Sequence, residues 1–214
     1  DELRFPRRME TIPPPLFATT VRYRRDRAVV IPAGGSDATG TLGYVNAALE
    51  LAAQIERGEA PQPATVIVAA GTLGTAAGLA LGFAMAGLPI RIIAVRITSR
   101  IVTNERALLR LMRGAEDILR RAGIPGQHTD AALEPVEVRH EHIGRGYGIA
   151  TEEAEVAMTT LSEIGIQLDT TYTAKAAAAL LRNAETATGP VLFWHTLSAQ
   201  EPPLPAHVSV DNLP

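Results

Sequence analysis

Cysteine is absent from the sequence. Disulfide bonds and thiol catalysis are therefore excluded for these 214 residues, and the composition fits a reducing compartment, so we expect a cytoplasmic location. Lysine is nearly absent too, since Lys175 is the one lysine of the chain. A phosphate loop of the Walker type needs a lysine directly after its glycines, and none follows the glycines here.

The sequence also lacks any concentration of charge of one sign. Its formal net charge is −3 and its arginines are scattered, which gives no electrostatic basis for binding nucleic acid or an anionic membrane. No apolar segment of the secretory kind lies near the start. With 46% hydrophobic and 20% charged residues, the chain can bury a sizeable core as one large domain or two small ones.

An uncharged run covers residues 64–90, which is long enough to be considered as a membrane span. It opens with the β-branched letters TVIV, contains Gly and Thr in its middle and is followed by IRIIAV, which is typical of another strand. These features favour a buried strand and helix over a membrane span. We therefore expect neither a membrane nor a nucleic acid as partner.

Strand-like apolar runs alternate with helical patterns along most of the chain. Five runs have strand character: AVVIP, TVIVAA, IRIIAVRI, VEVRH and VLFWH. Helices are predicted to end at Gly58 and near Gly87, to run from about 104 to 121, and to begin at TEEAEVAM and near Thr173. This alternation predicts an α/β fold with a mostly parallel sheet and helices on both faces.

The first residues do not follow this alternation. The proline-rich letters TIPPPLF lack amide donors and resist both helix and central strand. We therefore predict a linker or truncated lead-in over residues 1–27, followed by one α/β domain over residues 28–214.

The strand TVIVAA leads directly into the turn GTLGT and then into a helix. A strand, a turn and a helix start in this order bring several backbone N–H groups to one point, where the helix dipole adds partial positive charge. Gly71 and Gly74 let the backbone bend, and the hydroxyls of Thr72 and Thr75 can add donors. The turn therefore predicts a phosphate site, with a packing turn that holds no ligand as the alternative.

A Rossmann dinucleotide site is a further alternative, because glycine spacing alone is a weak signal. For NAD, such a site needs an acidic residue at the end of the next strand, whereas this chain has AVRITSR there. NAD is therefore disfavoured, and Arg96 and Arg100 leave an NADP site open.

Five motifs occur in the order IPAGGSDATGTLGYV, VAAGTLGTAAGLALG, IGRGYGIATEEA, LDTTYTAKA and VLFWHT. Together they resemble the family of D-cysteine desulfhydrases and 1-aminocyclopropane-1-carboxylate deaminases, over residues 29–196. The resemblance implies a pyridoxal-phosphate enzyme of the tryptophan synthase β-like fold (fold type II), which acts as a lyase or deaminase on a small amino acid. Pyridoxal 5'-phosphate would be its cofactor.

The resemblance also implies roles for individual residues. Tyr147 and Tyr172 would face the substrate, where their phenols could move protons; without the family, each is interpreted as a tyrosine that anchors a turn. Thr173 matches the position whose side chain meets the pyridine nitrogen, and it could also cap the following helix. The turn that would cradle the cofactor phosphate consists of Gly71, Thr72, Leu73, Gly74 and Thr75.

A second loop borders the active site in the family. It makes Gly34, Gly35 and Ser36 candidates for contact with the substrate, although Ser36 and Asp37 could instead cap the next helix. Three histidines follow later and have neither helical metal-site spacing nor cysteine partners, so no metal site is predicted. These are His128, His140 and His142, and we expect them to face the solvent. The letters EVRHEH alternate, however, so one of the two histidines in them is expected to point inward from a strand in a structural role.

The family's chemistry needs a lysine that forms a Schiff base with the cofactor. Lys175 matches a different family lysine, and the N-terminal portion that carries the family's Gly-Asn-Lys-type motif has no counterpart here. The chain could be a fragment, a subunit whose lysine comes from another polypeptide, or a non-catalytic binding or interaction homologue. We favour the interpretation that the chain is a fragment. Because its uncovered active-site face would be apolar, we expect it to associate with the missing N-terminal portion or to form a homodimer.

Thr173 also indicates a branch of the family. The deaminases usually have Glu at this place, whereas the desulfhydrases have a hydroxyl residue. A neutral hydroxyl bonded to an unprotonated nitrogen leaves a weaker electron sink than a carboxylate does, and this suits β-elimination. The resemblance therefore implies a desulfhydrase that acts on D-cysteine or a related β-substituted amino acid.

Overall fold

The structure is a computed structural model that describes residues 31–184 and 186–196. The chain divides into two units, residues 1–35 and residues 36–214. The described part of the first unit, residues 31–35, contains a single 3-10 turn, Ala33–Gly35. The predicted lead-in over residues 1–27 and most of the predicted strand AVVIP lie outside the described residues, and positions 31 and 32 are not in a strand.

Within the described part of the second unit, four strands form one parallel sheet. They are β1 (Thr65–Ala70), β2 (Arg91–Arg96), β3 (Val136–Arg139) and β4 (Val191–Trp194). The strand order is β3-β2-β1-β4. The chain therefore adds β2 and β3 on one side of β1 and returns to the other side of β1 with β4.

Six α-helices accompany these strands in the described residues. They are α1 (Ala38–Glu56), α2 (Gly74–Met85), α3 (Glu105–Arg121), α4 (Thr129–Leu133), α5 (Glu152–Ser162) and α6 (Thr173–Ala184). A second 3-10 turn, Glu141–Ile143, follows β3. The helices that the periodicity predicts are confirmed, with ends within a few residues of the expected positions.

Three helices begin where the sequence supplies a capping side chain. Asp37, Asn104 and Thr151 each accept a hydrogen bond from the amide three residues further on, at 2.8, 3.0 and 3.2 Å. Short polar side chains at this position satisfy an amide that has no acceptor within the helix. These bonds fix the starts of α1, α3 and α5.

Helix α2 approaches α1 closely because glycines face the contact. A Cβ atom on Gly78 would lie 2.5 Å from both the carbonyl oxygen of Thr41 and the Cβ of Tyr44. A Cβ on Gly82 would lie 2.6 Å from the Cβ of Ala48. Residues four apart share one helix face, so these glycines form a continuous stripe of close contact. Their role is helix packing, which the sequence analysis did not predict.

Helices cover both faces of the sheet, as the sequence predicts. Side chains of β1 and β2 alternate between the two faces. Val66 and Val68 pack in the core formed with α1, α2, α3 and α4, whereas Ile67 packs with Ala176 and Ala179 of α6. Within the described residues, no helix is long and apolar enough to cross a membrane. The uncharged run 64–90 consists of β1, α2 and their connections.

Candidate active site

The glycine turn, residues 71–75, follows β1 at the carboxyl edge of the sheet. The strand order changes direction at β1, because β2 and β4 lie on opposite sides of it. In parallel sheets, such a switch point opens a crevice in which ligands bind. The fold therefore brings the predicted phosphate turn to the place where a binding site is expected.

The backbone of the glycine turn leaves amide groups available to a ligand. Leu73 adopts a left-handed conformation, with φ 71° and ψ −1°, and α2 begins at Gly74 without a side-chain cap. A Cβ on Gly74 would lie 2.6 Å from the Oγ of Ser36, so the turn has room only for glycine there. The first amides of a helix have no acceptor within it and favour an anion. The turn fits a phosphate group.

Hydroxyl groups hold the glycine turn from both sides. The Ser36 and Thr72 hydroxyls are hydrogen-bonded at 2.6 Å. On the other side, the Thr103 hydroxyl donates to the carbonyl oxygen of Gly71 at 2.5 Å. Thr98 bonds the Thr103 hydroxyl at 2.6 Å and approaches the same carbonyl at 3.4 Å. These bonds fix the direction of the peptide group that opens the turn.

A pair of tyrosines lies beside the glycine turn. The hydroxyls of Tyr147 and Tyr172 are 2.5 Å apart, and the rings meet edge to face with centroids 5.8 Å apart. The Cε1 of Tyr172 lies 3.7 Å from the position that a Cβ would occupy on Gly71. The two side chains are 38% and 39% exposed, so both are accessible to a small molecule. The structure thus brings together the glycine turn, Tyr147 and Tyr172, which the sequence predicts separately.

The environment of Tyr172 favours its protonated phenol. Burial raises the pKa of Tyr172 above its ordinary value of 10.0, and the hydrogen bond with Tyr147 raises it further. A phenol with a raised pKa stays protonated at neutral pH and can donate a hydrogen bond. The tyrosine pair can therefore hold a proton next to the turn.

Thr173 is buried at the start of α6 and is bonded to Asp169. The Thr173 hydroxyl donates to the Asp169 carboxylate at 2.6 Å and accepts from the Asp169 amide at 2.8 Å. Burial opposes ionisation of Asp169, but hydrogen bonds from Thr173 and from three amides hold the pKa of this carboxyl below its ordinary value. The hydrogen of the Thr173 hydroxyl therefore points to Asp169, and contact of Thr173 with a pyridine nitrogen stays a prediction.

Asp169, rather than Thr173, supplies the cap of α6. Its carboxylate accepts hydrogen bonds from the amides of Thr171, Tyr172 and Thr173 at 2.9, 2.7 and 3.0 Å. The sequence analysis missed this residue. An aspartate shortly before a predicted helix start is the signal that could have identified it.

Gly34 and Gly35 lie in the 3-10 turn of the first unit, with φ 67° and 61°. Ser36 belongs to the second unit, where its hydroxyl bonds Thr72. The side chain that caps α1 is Asp37. Contact of this loop with a substrate stays a prediction.

All three side-chain nitrogens of Arg96 donate hydrogen bonds within the protein. Its side chain is buried, its Nε donates to the Nδ1 of His140 at 2.7 Å, and its Nη1 donates to the carbonyl oxygen of Thr98 at 2.5 Å. A 2'-phosphate of NADP needs an arginine with unoccupied donors. The geometry therefore gives the NADP alternative no support from this residue.

His142 is the histidine that points inward. It is 2% exposed and lies in the 3-10 turn Glu141–Ile143, three residues after the end of β3, rather than in a strand. Its Nε2 has no hydrogen-bond partner among the described residues. Burial lowers the pKa of His142, and this outweighs the nearby Glu141 carboxylate, which raises it. The imidazole is neutral at neutral pH.

The fold and the site define a class of protein. It is an α/β protein with a glycine turn at the carboxyl edge of a parallel sheet and a tyrosine pair beside that turn. The model of the family described as "Pyridoxal-phosphate dependent enzyme" matches residues 16–196. This chain belongs to that family, and the resemblance of the five sequence motifs is confirmed.

Relatives within the family share about a third of the aligned sequence. The D-cysteine desulfhydrases of Salmonella newport (strain SL254) and Salmonella enteritidis PT4 (strain P125109) are each 32% identical over 185 residues, which cover 84% of this chain and 53% of theirs. A crystal structure described as an ACC deaminase homologue matches with a TM-score of 0.66 and 25% identity, over 89% of this chain and 56% of that chain. The fold prediction is confirmed. The chain spans about half the length of the curated relatives it matches.

Two residues that shape the site were not predicted from the sequence. Thr98 and Thr103 lie in the segment after β2 and hold the carbonyl of Gly71. Thr98 could have been identified, because it follows a strand predicted to lie next to β1 in a parallel sheet. Thr103 gives no such signal, since it follows the strand by several residues and only tertiary structure brings it to the turn.

Proposed function

We propose that this chain is the cofactor-phosphate-binding part of a pyridoxal-phosphate-dependent lyase. The complete enzyme catalyses β-elimination from D-cysteine or a related β-substituted amino acid. With the addition of water, D-cysteine gives a keto acid, ammonia and sulfide, and another substrate releases its own β-substituent in place of sulfide. The observation that carries the proposal is the position of Tyr172, whose ring lies against Gly71 of the glycine turn while its hydroxyl meets that of Tyr147.

The glycine turn binds the phosphate in this proposal. The amides of Leu73, Gly74 and Thr75 donate to the phosphate oxygens, and the hydroxyl of Thr75 adds a donor. The hydroxyls that hold the Gly71 carbonyl keep these amides oriented before the ligand arrives. When bound, pyridoxal phosphate supplies an electron sink that lets bonds at Cα and Cβ of an amino acid break.

The tyrosine pair moves protons at the substrate. Tyr172 holds a proton on Oη at neutral pH because burial and Tyr147 raise its pKa. Elimination of a sulfur leaving group is assisted by a proton donor, and the partner hydroxyl can replace the proton that is given up. Thr173 in place of a carboxylate and the desulfhydrase relatives support elimination over cyclopropane ring opening.

The lysine that the family requires comes from outside this sequence in our proposal. Lys175 is the chain's one lysine, and its amine is enclosed and bonded to two backbone carbonyls. We therefore propose association with an N-terminal portion, in the same or another polypeptide, within a homodimer in the cytoplasm. A non-catalytic homologue is the alternative, which the same lysine observation supports.

Substitution of Thr75 tests the phosphate site. Thr75→Asp puts a carboxylate at the second residue of α2, where it stabilises the helix but repels a phosphate. We expect pyridoxal phosphate, measured by equilibrium dialysis, to bind at least about tenfold more weakly, because the carboxylate repels the phosphate. A tenfold loss of affinity corresponds to about 1.4 kcal/mol. Thr75→Asn is the matched neutral control and should bind nearly as the unaltered chain does.

Equal binding by the unaltered chain and both variants would remove the phosphate site from the proposal. NADP in the same dialysis serves as the competing ligand, and its binding in place of pyridoxal phosphate would favour the Rossmann alternative. The activity is tested on the full-length enzyme with D-cysteine and 1-aminocyclopropane-1-carboxylate side by side. Ring opening without release of sulfide would contradict the proposed reaction.

A further inference from the structure

Lys175 lies inside the protein and binds a loop rather than an acidic residue. Its side chain is 0% exposed, and its Nζ donates to the carbonyl oxygens of Ile143 and Gly146, both at 2.9 Å. No carboxylate forms an ion pair with Lys175 in residues 31–184 and 186–196. Burial lowers the pKa of this amine, because removing the ammonium group from water is unfavourable. An apolar side chain at this position would not carry that cost. What the lysine adds is a pair of donors.

The loop that receives these donors, residues 143–148, is called the tyrosine loop because it carries Tyr147. It has little internal support. Gly144, Gly146 and Gly148 have φ of 63°, 147° and 73°, which are conformations that other residues rarely adopt. Outside the 3-10 turn that ends at Ile143, the loop has one further backbone hydrogen bond among the described residues, from the amide of Ile149 to the carbonyl oxygen of Gly146 at 3.5 Å. The two bonds from Lys175 are therefore the main restraint on its path.

Lys175 and Tyr172 are fixed to the same structural element. Tyr172 precedes the first residue of α6, and Lys175 is the third residue of that helix. The amine of Lys175 holds the tyrosine loop, and the hydroxyl of Tyr147 on that loop returns to the hydroxyl of Tyr172. The tyrosine loop is therefore bonded at two places to the start of α6, through the amine of Lys175 and through the hydroxyl of Tyr172.

We infer that Lys175 is a positioning residue, whose two hydrogen bonds hold the tyrosine loop so that the hydroxyl of Tyr147 meets that of Tyr172. The part that this pair has in catalysis rests on the proposed function, whereas the positioning itself does not. A role as packing alone would be served equally by methionine, which has nearly the same length and no donor. The two roles therefore differ in a measurable way.

The test compares Lys175→Met with Leu180→Ala in the unliganded chain. Leu180→Ala removes packing of the same helix against the cluster that contains Ile67 and Ile93, and it controls for general loosening of α6. The first measurement is amide hydrogen exchange of residues 144–149. The second is the pH at which Tyr172 ionises, followed by phenolate absorbance. Neither measurement needs the cofactor, so failure to bind pyridoxal phosphate would count against the proposed function alone.

We expect Lys175→Met to raise the exchange rates of the loop amides by about tenfold or more, because two hydrogen bonds of ordinary strength are lost. Tyr172 should then ionise at a lower pH, since it loses its hydrogen bond with Tyr147. Leu180→Ala should change neither quantity. Unchanged exchange and unchanged Tyr172 ionisation in Lys175→Met, or equal changes in both variants, would overturn the inference.

A measurement on the unaltered chain covers the case in which Lys175→Met fails to fold. Because the chain has one lysine, labelling with ¹⁵N-lysine gives one side-chain amine signal in an NMR spectrum. We expect its protons to exchange slowly with water and its titration to fall below the ordinary lysine value of 10.5. A rapidly exchanging amine that titrates as an exposed lysine does would overturn the inference.

Discussion

The hydroxyl of Thr103 donates a hydrogen bond to the carbonyl oxygen of Gly71, across 32 positions of sequence. Thr103 is fully buried and Gly71 is half-buried, so this bond is partly shielded from water. The carbonyl belongs to the peptide group that opens the glycine turn, and its direction decides where the following amides point. Thr103, which belongs to no glycine motif, thus orients the peptide group that opens the proposed phosphate turn.

Thr103→Val keeps the shape of the side chain and removes the donor. We expect the free energy of unfolding to fall by about 1–3 kcal/mol, because the buried Thr98 hydroxyl loses its partner and the Gly71 carbonyl keeps only the longer bond from Thr98. We also expect pyridoxal phosphate to bind more weakly. Thr98→Val is the control, since it removes the bond to Thr103 and the long contact with Gly71 at 3.4 Å but leaves the bond from Thr103 to Gly71. Its effect on the binding of pyridoxal phosphate should therefore be smaller. Urea unfolding and equilibrium dialysis measure both effects, and unchanged values for Thr103→Val would refute the role of the bond.

Gly78→Ala tests the close contact of α1 and α2. The added Cβ would meet the Thr41 carbonyl and Tyr44 at 2.5 Å, and overpacking of this kind costs about 1–3 kcal/mol. Gly43→Ala is the matched control on α1, because nothing lies within 4 Å of its Cβ position. There the gain in helix propensity should stabilise the protein by up to about 1 kcal/mol. Opposite shifts in thermal unfolding temperature are expected, and shifts of equal sign and size would contradict the packing.

The buried His142 predicts a loss of stability in mild acid. Its pKa in the folded state lies below the ordinary 6.5, so the unfolded chain binds a proton that the folded chain does not. Stability is therefore complete above about pH 6.5 and falls as the pH drops from there towards the folded pKa. The charged groups around the imidazole are Glu141, Arg182, Glu153 and Arg139.

His142→Leu should flatten this acid dependence, because leucine cannot take up the proton. Urea unfolding at several values between about pH 7 and pH 5 measures it. His128→Leu, on a different part of the chain, is the control for the loss of a histidine, and its slope is compared with that of His142→Leu. If the slope of His142→Leu equals that of the unaltered chain, another group is responsible for the acid sensitivity.

Tyr147→Phe tests the hydrogen bond of the tyrosine pair. Burial raises the pKa of Tyr172 and the bond with Tyr147 raises it further, so removal of the partner hydroxyl should lower the pKa towards 10.0. Phenolate absorbance during an alkaline titration measures the change. In the unaltered chain, Tyr172 should ionise at a higher pH than an ordinary tyrosine, and we call this the late ionisation. Tyr44→Phe should leave it in place, whereas Tyr172→Phe should abolish it. Persistence of the late ionisation in Tyr172→Phe would show that another tyrosine causes it.

The sequence predicts this molecule best where local chemistry decides the structure. The alternation of β-branched runs with helical spacing predicts β1 and β2, and short polar residues before Glu105 and Glu152 predict the starts of α3 and α5. The glycine turn after β1 was predictable for the same reason, because strand, glycines and helix are consecutive.

The features that the sequence did not reveal depend on contacts between distant residues. Gly78 and Gly82 lie in the same glycine-containing run as the turn, yet they face α1, and only the path of α1 shows this. Lys175 resembles an ordinary helix lysine in the sequence, and its two acceptors lie 32 and 29 positions away. Such partners cannot be identified from spacing within one element.

The strand order has a consequence for synthesis of the chain on the ribosome. β1 pairs with β2 at Thr65↔Arg91, but its other edge pairs with β4 at Thr65↔Val191. At about 5–20 residues per second, the interval between completion of β1 and arrival of β4 is roughly 6–24 s. Throughout that time the edge of a buried, apolar strand has free amides and carbonyls, which another nascent chain can pair with. Slow elongation between β1 and β4 therefore lengthens the period in which this chain needs a chaperone.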